Sequence, residues 1–312
     1  MYCNEGSLET SLNSLLSNVF GKFPELTGEI IFVDDGSSDG SMRELMRLRE
    51  ENPGIVVIIA LTRNFGQPYA RLAGLSQARG DCVITMSADG QEPAELAREM
   101  LQIHRDEKYE VVICVRKSRK ESLYRKITSS LFFRLMRKTA FPEMPIGGFS
   151  SALLSRRALE VLLGNQEAHP FFQGQILWTG FPYKLINYDR PARASGRSKW
   201  TFGKKLTLLV DAVVSYSFFP IRFISLLGIL SSFLGFLGAA FILGRRLALG
   251  TAVPGWTTLM VVTLFLGGLQ ILMLGVLGEY LWRTLAQVRA RAPYVIKSIL
   301  DSTPYSRDSR ER

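Results

Sequence analysis

Residues 30–40 are IIFVDDGSSDG, and this stretch decides the fold of the chain. Four apolar residues run directly into two carboxylates, and a turn rich in glycine and serine follows them. A continuous β-branched run is typical of a strand that is covered on both faces of its sheet. A strand that ends in a polar turn and leads into a helix is the repeating unit of α/β proteins.

The same unit recurs along the chain up to about residue 200. Further apolar strands are predicted, after the one at residues 30–33, at 56–61, 82–86 and 110–115. Amphipathic segments around them predict helices at 8–19, 41–51, 67–78 and 92–105. This alternation predicts an α/β fold with a mainly parallel sheet for a first domain at residues 1–201.

The composition changes abruptly near residue 205. Residues 220–243 are apolar apart from Arg222, and residues 256–281 are apolar apart from Gln270 and Glu279. At ~1.5 Å of rise per residue, each segment is long enough to cross a hydrocarbon core of about 30 Å. Two buried helices of a soluble domain are the alternative, but the lengths and the tandem order favour a transmembrane hairpin over residues 220–283.

Basic residues flank the hairpin on one side. The connector, residues 244–255, contributes only Arg245 and Arg246, whereas the two flanks carry Arg190, Arg193, Arg197, Lys199, Lys204, Lys205, Arg283, Arg289, Arg291 and Lys297. The positive-inside bias therefore places the first domain and a C-terminal tail at 284–312 in the cytoplasm. Residues 202–219 carry an apolar face after two lysines, which predicts a helix in the membrane interface.

The net charge of +10 favours an anionic partner, such as a phosphorylated substrate or lipid headgroups. Nucleic acid is disfavoured because the cations flank the spans. The three cysteines are scattered and lack metal-ligand spacing, which is typical of a protein in a reducing compartment. Small residues in the first span, from Gly228 to Ala239, permit close helix packing within the hairpin or in a homo-oligomer.

Two acidic loops directly follow predicted strands. Asp34 and Asp35 can accept hydrogen bonds from a nucleobase or ribose, or they can belong to a turn that caps the next helix. The second loop, SADGQEP at residues 87–93, carries Asp89, which can hold a divalent cation against a diphosphate. The simpler interpretation is a helix start, with Pro93 in the first turn and Glu92 complementing the helix dipole, and both interpretations can hold together.

A basic loop precedes the membrane segments. Residues 193–200 are RASGRSKW, in which the cations can clamp a phosphate and Trp200 can lie at the headgroup level. A solvated juxtamembrane basic run is the equally simple alternative.

Taken in order, these motifs resemble family 2 glycosyltransferases. The resemblance is carried by YCNE at 2–5, DDGSSD at 34–39, RNFGQ at 63–67, ADGQEP at 88–93, GGF at 147–149, GRSK at 196–199 and GEYLWR at 278–283. The chain is most similar to the subgroup that acts on polyisoprenyl phosphates, and the resemblance extends over residues 2–297.

The resemblance implies a GT-A fold, an inverting sugar transfer and a role for each matched residue. Asp34, Asp35, Asn4, Glu5 and Asn64 would bind the nucleotide-sugar, and Asp89 with Gln91 would hold Mg²⁺ or Mn²⁺ at its diphosphate. Arg116, Arg125 and Ser129 would lie near the phosphates, and Arg193 and Lys199 in the loop on the acceptor side. The candidates for catalysis are then Asp89, Arg125, Arg193 and Lys199.

Three departures from the family pattern bear on this implication. Ser87 stands where the family usually has a second acid, so metal coordination would depend on Asp89, Gln91 and the oxygens of the substrate. Gly148 stands where an acid often follows Gly147. The first strand of the family precedes the Tyr-Asn-Glu motif, whereas this chain starts at Met1, so we expect either a segment upstream of Met1 or an incomplete base pocket.

The sequence therefore predicts a bacterial inner-membrane enzyme with two spans and both termini in the cytoplasm. It would transfer a sugar from a nucleotide-sugar to an undecaprenyl or dolichyl phosphate in cell-envelope or glycan modification. A processive polysaccharide synthase is one alternative, although residues 173–178, QGQILW, lack the arginine of the Gln-x-x-Arg-Trp motif. A catalytically impaired membrane scaffold is the other alternative, which Ser87 and the missing first strand favour.

Overall fold

The structure is a computed structural model, and it describes residues 1–116, 130, 133–134, 136–138, 140–145, 147–165, 167–168, 170–189, 214, 217, 219–249 and 255–301. The chain divides into two compact units. The N-terminal unit comprises Met1–Leu206 with Ala292–Arg312, and the helical unit comprises Thr207–Arg291.

The N-terminal unit alternates helices and strands. Its elements are α1 (Leu8–Leu15), β1 (Ile30–Asp34), α2 (Ser41–Glu51), β2 (Val56–Leu61), α3 (Gln67–Gln77), β3 (Cys82–Thr85), α4 (Ala94–Glu107), β4 (Val111–Arg116), β5 (Phe149–Ser155), α5 (Arg156–Gly164), α6 (Phe172–Trp178), β6 (Tyr183–Tyr188) and β7 (Ile296–Leu300). A π-helical turn, Leu16–Phe20, extends α1. The four strands and four helices predicted from periodicity are confirmed, with small shifts at their ends.

The strands form two mixed sheets. The first has the order β1-β2-β7 and the second the order β3-β5-β4-β6. β1 pairs with β2, and β4 with β6, in parallel. β7 runs antiparallel to β2, and β5 runs antiparallel to both β3 and β4. The α/β class is confirmed, but the pairing is mixed rather than mainly parallel. Every antiparallel pair involves β5 or β7, two strands that were not predicted from the sequence.

The core of the first sheet is built around β2. All six residues of β2 are buried, so both faces of the strand are covered. Ile58 packs on one face with leucines of α1 and α2, and Ile59 packs on the other with Ala70 and Ala73 of α3. Each fully buried Ile or Leu side chain contributes about 1.5–3 kcal/mol, so this strand is the main anchor of the sheet.

β7 lies in the segment, residues 284–312, that is predicted as a C-terminal tail. Its five residues alternate between partly buried and exposed, so it is an edge strand rather than a core strand. A short alternating segment after a long apolar span gives no strong strand signal, which is why periodicity missed it. Residues 302–312 of the predicted tail lie outside the described residues.

The helical unit contains two long helices, α7 (Phe219–Leu249) and α8 (Trp256–Val288). Within them Phe219–Arg245 and Leu259–Val288 are long and apolar enough to cross a membrane. At Gly228 an added Cβ would lie 2.9 Å from Cε of Met273, so this small residue lets α8 pack closely against α7. The predicted interfacial helix, residues 202–219, falls largely outside the described residues.

Candidate functional site

The loop after β1 is fastened to the loop after β2 by Asp35. Its carboxylate accepts the backbone N–H groups of Phe65 at 2.7 Å and Gly66 at 2.9 Å. The residue is 2% exposed, and burial raises the pKa of the Asp35 carboxyl while the two N–H donors oppose that rise. Asp35 therefore holds two loops together, and contact of its carboxylate with a nucleotide remains a prediction.

Gly36 allows these two loops to approach each other. Its φ angle is +69°, and an added Cβ would lie 2.7 Å from the carbonyl carbon of Arg63 and 2.8 Å from the backbone nitrogen of Asn64. Any side chain at this position would be both strained and in collision with backbone. The close approach brings Asn64, a predicted substrate-binding residue, against the turn that follows β1.

Asp34 and the start of the chain lie along the same turn. The Asp34 carboxylate, 4% exposed, accepts the N–H of Ser37 at 3.3 Å. The Asn4 N–H donates to Ser41 Oγ at 2.9 Å. The backbone N–H of Gly40 donates to Glu5 Oε2, also at 2.9 Å. The structure thus places Asn4, Glu5 and Asp34 along the turn that follows β1, and their contact with a nucleotide-sugar stays a prediction.

The loop after β3 lies beside this N-terminal segment. Ser7 Oγ donates to the carbonyl oxygen of Ala88 at 3.3 Å, which links the two parts. Within the loop, Asp89 Oδ1 accepts hydrogen bonds from Ser87 Oγ at 2.9 Å and from the Gln91 N–H at 3.3 Å. The predicted metal residues, Asp89 and Gln91, therefore lie on one tight loop next to the predicted nucleotide residues.

A buried carboxylate behind this loop was missed as a site residue. Glu92 is 6% exposed, its Oε2 accepts the N–H of Ser87 at 2.7 Å, and its Oε1 accepts the hydroxyl of Ser150 at 2.6 Å. From the sequence, Glu92 is predicted only to complement a helix dipole, although its place directly after Gln91 is a signal for a site residue. Ser150, at the start of β5, carried no local signal.

Arg116 lies at the end of β4, in register with Tyr188 of β6. Its Nε donates to the Tyr188 hydroxyl at 3.3 Å, and its Nη2 donates to Ser150 Oγ at 3.4 Å. The predicted phosphate-binding arginine is thereby connected through Ser150 to Glu92 and to the Asp89 loop. Tyr188, which accepts this hydrogen bond from Arg116, is a second residue of the region that was not predicted from the sequence.

A second cation, Arg71 of α3, was also missed. Its guanidinium lies 4.0 Å from the centre of the Phe172 ring. Burial lowers the pKa of Arg71 to about 10, and the negative charge of Glu92 opposes that shift. With this pKa the Arg71 guanidinium is still charged at neutral pH. The region around Glu92 therefore contains two cations, Arg71 of α3 and Arg116 of β4.

The oxygen donors of the 87–91 loop match a divalent cation in type. Mg²⁺ and Mn²⁺ prefer oxygen ligands, and the loop offers the Asp89 carboxylate and the Gln91 amide. Among the described residues, no group of three or more His, Cys, Asp or Glu residues could hold a metal ion. The oxygens present are of the right chemical type, but they complete a coordination shell only together with oxygens of a substrate.

Gly148 adopts a conformation that excludes a simple acidic replacement. Its φ angle is +66°, and an added Cβ would collide with the ring of Phe133 and approach Nε2 of Gln173 to 3.0 Å. An Asp or Glu at position 148 would therefore require Phe133 to move and the backbone to change its φ angle. The other predicted site residues, Arg125, Ser129, Arg193 and Lys199, lie outside the described residues.

Comparison with known proteins adds independent information. The model of the family described as glycosyl transferase family 2 matches residues 1–163. An uncharacterized glycosyltransferase of Synechocystis sp. is 33% identical over 300 residues, which cover 96% of this chain and 93% of that protein. The bactoprenol glucosyl transferase of Shigella phage SfII is 32% identical over 274 residues, which cover 86% of this chain and 87% of that protein.

Among solved structures, a mannosyltransferase from Pyrobaculum calidifontis in complex with GDP-Man and Mn²⁺ has a TM-score of 0.44 and 21% identity. The similarity covers 62% of this chain and 56% of that chain.

Proposed function

The chain belongs to glycosyl transferase family 2, and from this premise we propose that it transfers a sugar from a nucleotide-sugar to a polyprenyl phosphate at a membrane surface. The observation that carries the proposal is the hydrogen-bonded connection between the acidic 87–91 loop and Arg116, the arginine that we propose to bind phosphate. Asp89, Ser87, Glu92, Ser150 and Arg116 form one connected set of hydrogen bonds at the ends of β3, β4 and β5. The relatives named bactoprenol glucosyl transferases support a polyprenyl phosphate as the acceptor.

Asp89 and Gln91 would hold Mg²⁺ or Mn²⁺. A bound divalent cation supplies positive charge that stabilises the leaving nucleoside diphosphate. The hydrogen bond from Ser87 Oγ fixes the orientation of the Asp89 carboxylate, so one oxygen of Asp89 stays directed along the loop. Ser87 itself adds no charge to this site, in contrast to the acid that the family pattern has there.

The proposed reaction forms one bond and breaks another. An oxygen of the lipid phosphate attacks the anomeric carbon of the sugar, and the bond from that carbon to the nucleoside diphosphate oxygen breaks. Attack from the face opposite the leaving group inverts the configuration. The nucleophile is already an anion at neutral pH, so the reaction needs no carboxylate as a base, and Gly148 is compatible with it.

The main physical difficulty is the meeting of two anions. Lipid phosphate and nucleotide diphosphate repel each other unless cations offset their charges, and the offset is larger where water is excluded. Arg116 supplies one such cation among the described residues. Arg125, Arg193, Lys199 and the hydroxyl of Ser129 are the further groups that we propose for the phosphates and the acceptor side.

The spans would bring the enzyme to its lipid. Residues 1–206 and 292–312 belong to one compact unit, so both ends of the helical unit lead into the same folded body. Two spans with both ends on one side form a hairpin, and the charges of its flanks favour the cytoplasmic face, with both termini cytoplasmic. Confinement of enzyme and lipid to one surface raises their effective concentration.

A catalytically impaired scaffold is the second candidate, and the single carboxylate of the 87–91 loop is the observation that favours it. The two candidates differ in turnover. Purified protein in detergent is supplied with undecaprenyl phosphate, Mn²⁺ and a panel of labelled UDP- and GDP-sugars, and labelled lipid is measured. Transfer from one donor supports the enzyme, and no transfer from any donor supports the scaffold.

The matched variants for this assay are Asp89→Ala and Asp106→Ala. We expect Asp89→Ala to abolish transfer, because it removes the one carboxylate of the proposed metal loop, while membrane insertion is kept. Asp106 is an exposed carboxylate at the end of α4, so its removal is expected to leave transfer unchanged. Substantial transfer by purified Asp89→Ala would contradict the role of Asp89.

A further inference from the structure

One buried carboxylate lies between the two parts of the proposed diphosphate site. Glu92 Oε2 accepts the N–H of Ser87, at the start of the loop that carries Asp89, and Glu92 Oε1 accepts the hydroxyl of Ser150, at the start of β5. From these contacts we propose that Glu92 is a positioning residue that holds the Asp89 loop and Arg116 in one geometry for a nucleoside diphosphate. The inference rests on the proposed function, because it assigns both groups to the donor substrate.

The connection from Glu92 to Arg116 follows from the chemistry of a hydroxyl group. A serine hydroxyl has one proton to donate and two lone pairs to accept with. The Ser150 hydroxyl donates its proton to Glu92 Oε1 at 2.6 Å. A lone pair of the same oxygen can therefore accept the hydrogen bond from Arg116 Nη2 at 3.4 Å. Because Arg116 Nε is also bound by the Tyr188 hydroxyl, two contacts set the direction of its guanidinium.

A carboxylate suits this position better than any neutral side chain. The groups that point at Glu92, the Ser87 N–H and the Ser150 O–H, are both donors, and a carboxylate offers an accepting oxygen to each. An amide offers one accepting oxygen and turns an NH₂ group toward the second donor. The buried charge is also balanced, because Arg71 interacts with it electrostatically and Arg116 lies one hydroxyl away.

The position of Glu92 excludes a direct role on substrate. It is 6% exposed, and both of its oxygens accept hydrogen bonds from the protein. Its effect must therefore pass through the loop of Asp89 and through Arg116. A displacement of about 1 Å in groups that orient a reacting substrate can reduce a rate about 10²-fold, so small errors at Glu92 are expected to be visible in kinetics.

The test compares Glu92→Gln, Ser150→Ala and the double variant in the full-length protein in detergent. The matched control is Glu99→Gln, an exposed carboxylate of α4, the helix that begins two residues after Glu92. Three quantities are measured: the dissociation constant of UDP or GDP by calorimetry with Mn²⁺ and with EDTA, kcat and KM for the donor, and the midpoint of thermal unfolding. Kinetic constants are normalised to the number of nucleotide-binding sites.

We expect Glu92→Gln to weaken nucleoside diphosphate binding about 10-fold and to reduce kcat per binding site about 10²-fold, with the KM for the lipid acceptor unchanged. We expect Ser150→Ala to show a smaller loss, and the double variant to show less than the sum of the two, because both residues act through one chain of contacts. Glu99→Gln should match the wild type in all three quantities.

Two results would overturn the inference. One is wild-type nucleotide affinity and wild-type kcat per site in Glu92→Gln, and the other is strict additivity of Glu92→Gln and Ser150→Ala. A purely structural role would lower the unfolding midpoint and the number of sites, but not kcat per site. If the wild type binds nucleoside diphosphate but transfers no sugar to polyprenyl phosphate, the proposed function fails, while the binding data still decide the role of Glu92.

Discussion

At the scale of single residues, carboxylates that look alike in the sequence have different surroundings. Asp35 accepts hydrogen bonds from two backbone N–H groups and so connects two loops. Asp89 accepts hydrogen bonds from one hydroxyl and one N–H of its own loop. Glu92 lies just before α4, at the predicted helix start, and it is also a buried residue that connects Ser87 to Ser150. Chemistry at this edge therefore depends on which donors face each carboxylate, and the residue type alone does not specify them.

The loop that we propose to bind the metal, residues 87–91, has a single carboxylate, which leads to a prediction about its affinity for Mn²⁺. We expect Ser87→Asp to bind Mn²⁺ about tenfold or more tightly in the absence of nucleotide, because the affinity of hard cations rises with the number of charged oxygen ligands. Calorimetric titration of the nucleotide-free protein with Mn²⁺ measures this. Ser87→Ala is the control, since it removes the hydroxyl and adds no ligand, and equal Mn²⁺ affinity in the Asp and Ala variants would contradict the prediction.

The cysteines are expected to differ in reactivity. Burial raises the pKa of the Cys114 thiol to about 12, so in the folded protein this thiol stays protonated up to strongly alkaline pH. Since the thiolate is the reactive form, we expect iodoacetamide at pH 8 to leave Cys114 unmodified and to label the partly exposed Cys3. Peptide mass spectrometry reads out both sites, with denatured protein as the control in which Cys114 reacts. Rapid labelling of Cys114 in the folded protein would contradict its burial.

At the scale of elements, the last strand completes the first sheet. β7 pairs with β2, and polar contacts fasten its ends to the N-terminal unit. Arg79 forms ion pairs with Glu29 at 2.6 Å and with Asp301 at 2.7 Å, and Tyr294 OH lies 2.9 Å from Ser76 Oγ. The strand covers an edge of β2 that would otherwise expose unpaired backbone groups.

Arg79 is the residue through which this fastening can be tested. Its ion pairs are partly exposed, so each contributes about 1 kcal/mol or less, and we expect Arg79→Ala to loosen β7 without unfolding the N-terminal unit. Hydrogen–deuterium exchange of peptides that cover residues 292–301 should become faster, while exchange in β4 stays unchanged. Arg105→Ala, which removes exposed ion pairs elsewhere, is the control, and unchanged exchange of β7 in Arg79→Ala would count against the contacts.

At the scale of the whole molecule, the chain leaves the N-terminal unit, passes through two apolar helices and returns to the same unit. The return is secured by β7, which lies beyond the second helix and pairs with β2. Because both ends of the helical unit lead into the same unit, we propose that they lie on one side of the membrane. The proposed face of that membrane is the cytoplasmic one.

Topology is tested by the accessibility of introduced cysteines. In a Cys3→Ser background, which removes the reactive native thiol, we expect Gly255→Cys, between α7 and α8, to be labelled in intact bacterial cells by a membrane-impermeant maleimide. Asp106→Cys, on the N-terminal unit, should be labelled only after lysis, because the two positions would lie on opposite sides of the membrane. Gel-shift analysis of the labelled protein reports both, and the reverse pattern would refute the cytoplasmic placement.

Much of the architecture could be predicted because it rests on local patterns. Strands β1 to β4, the helices between them and the two spans each correspond to an apolar pattern within one segment. The acidic loops could be located for the same reason, since each follows its strand directly. The order of the motifs then indicated the family, which the family model and the curated relatives confirm.

The sequence alone thus determined the α/β class, the pair of apolar helices and the loops that carry Asp34 and Asp89. Only the tertiary structure decided the mixed pairing of the sheets, the return of β7 and the connection of Glu92 to Arg116 through Ser150. The physical reason is separation along the chain: Glu92 and Ser150 lie 58 residues apart, and Arg79 and Asp301 lie 222 residues apart. Such contacts arise from packing of distant segments, which no pattern within a single segment encodes.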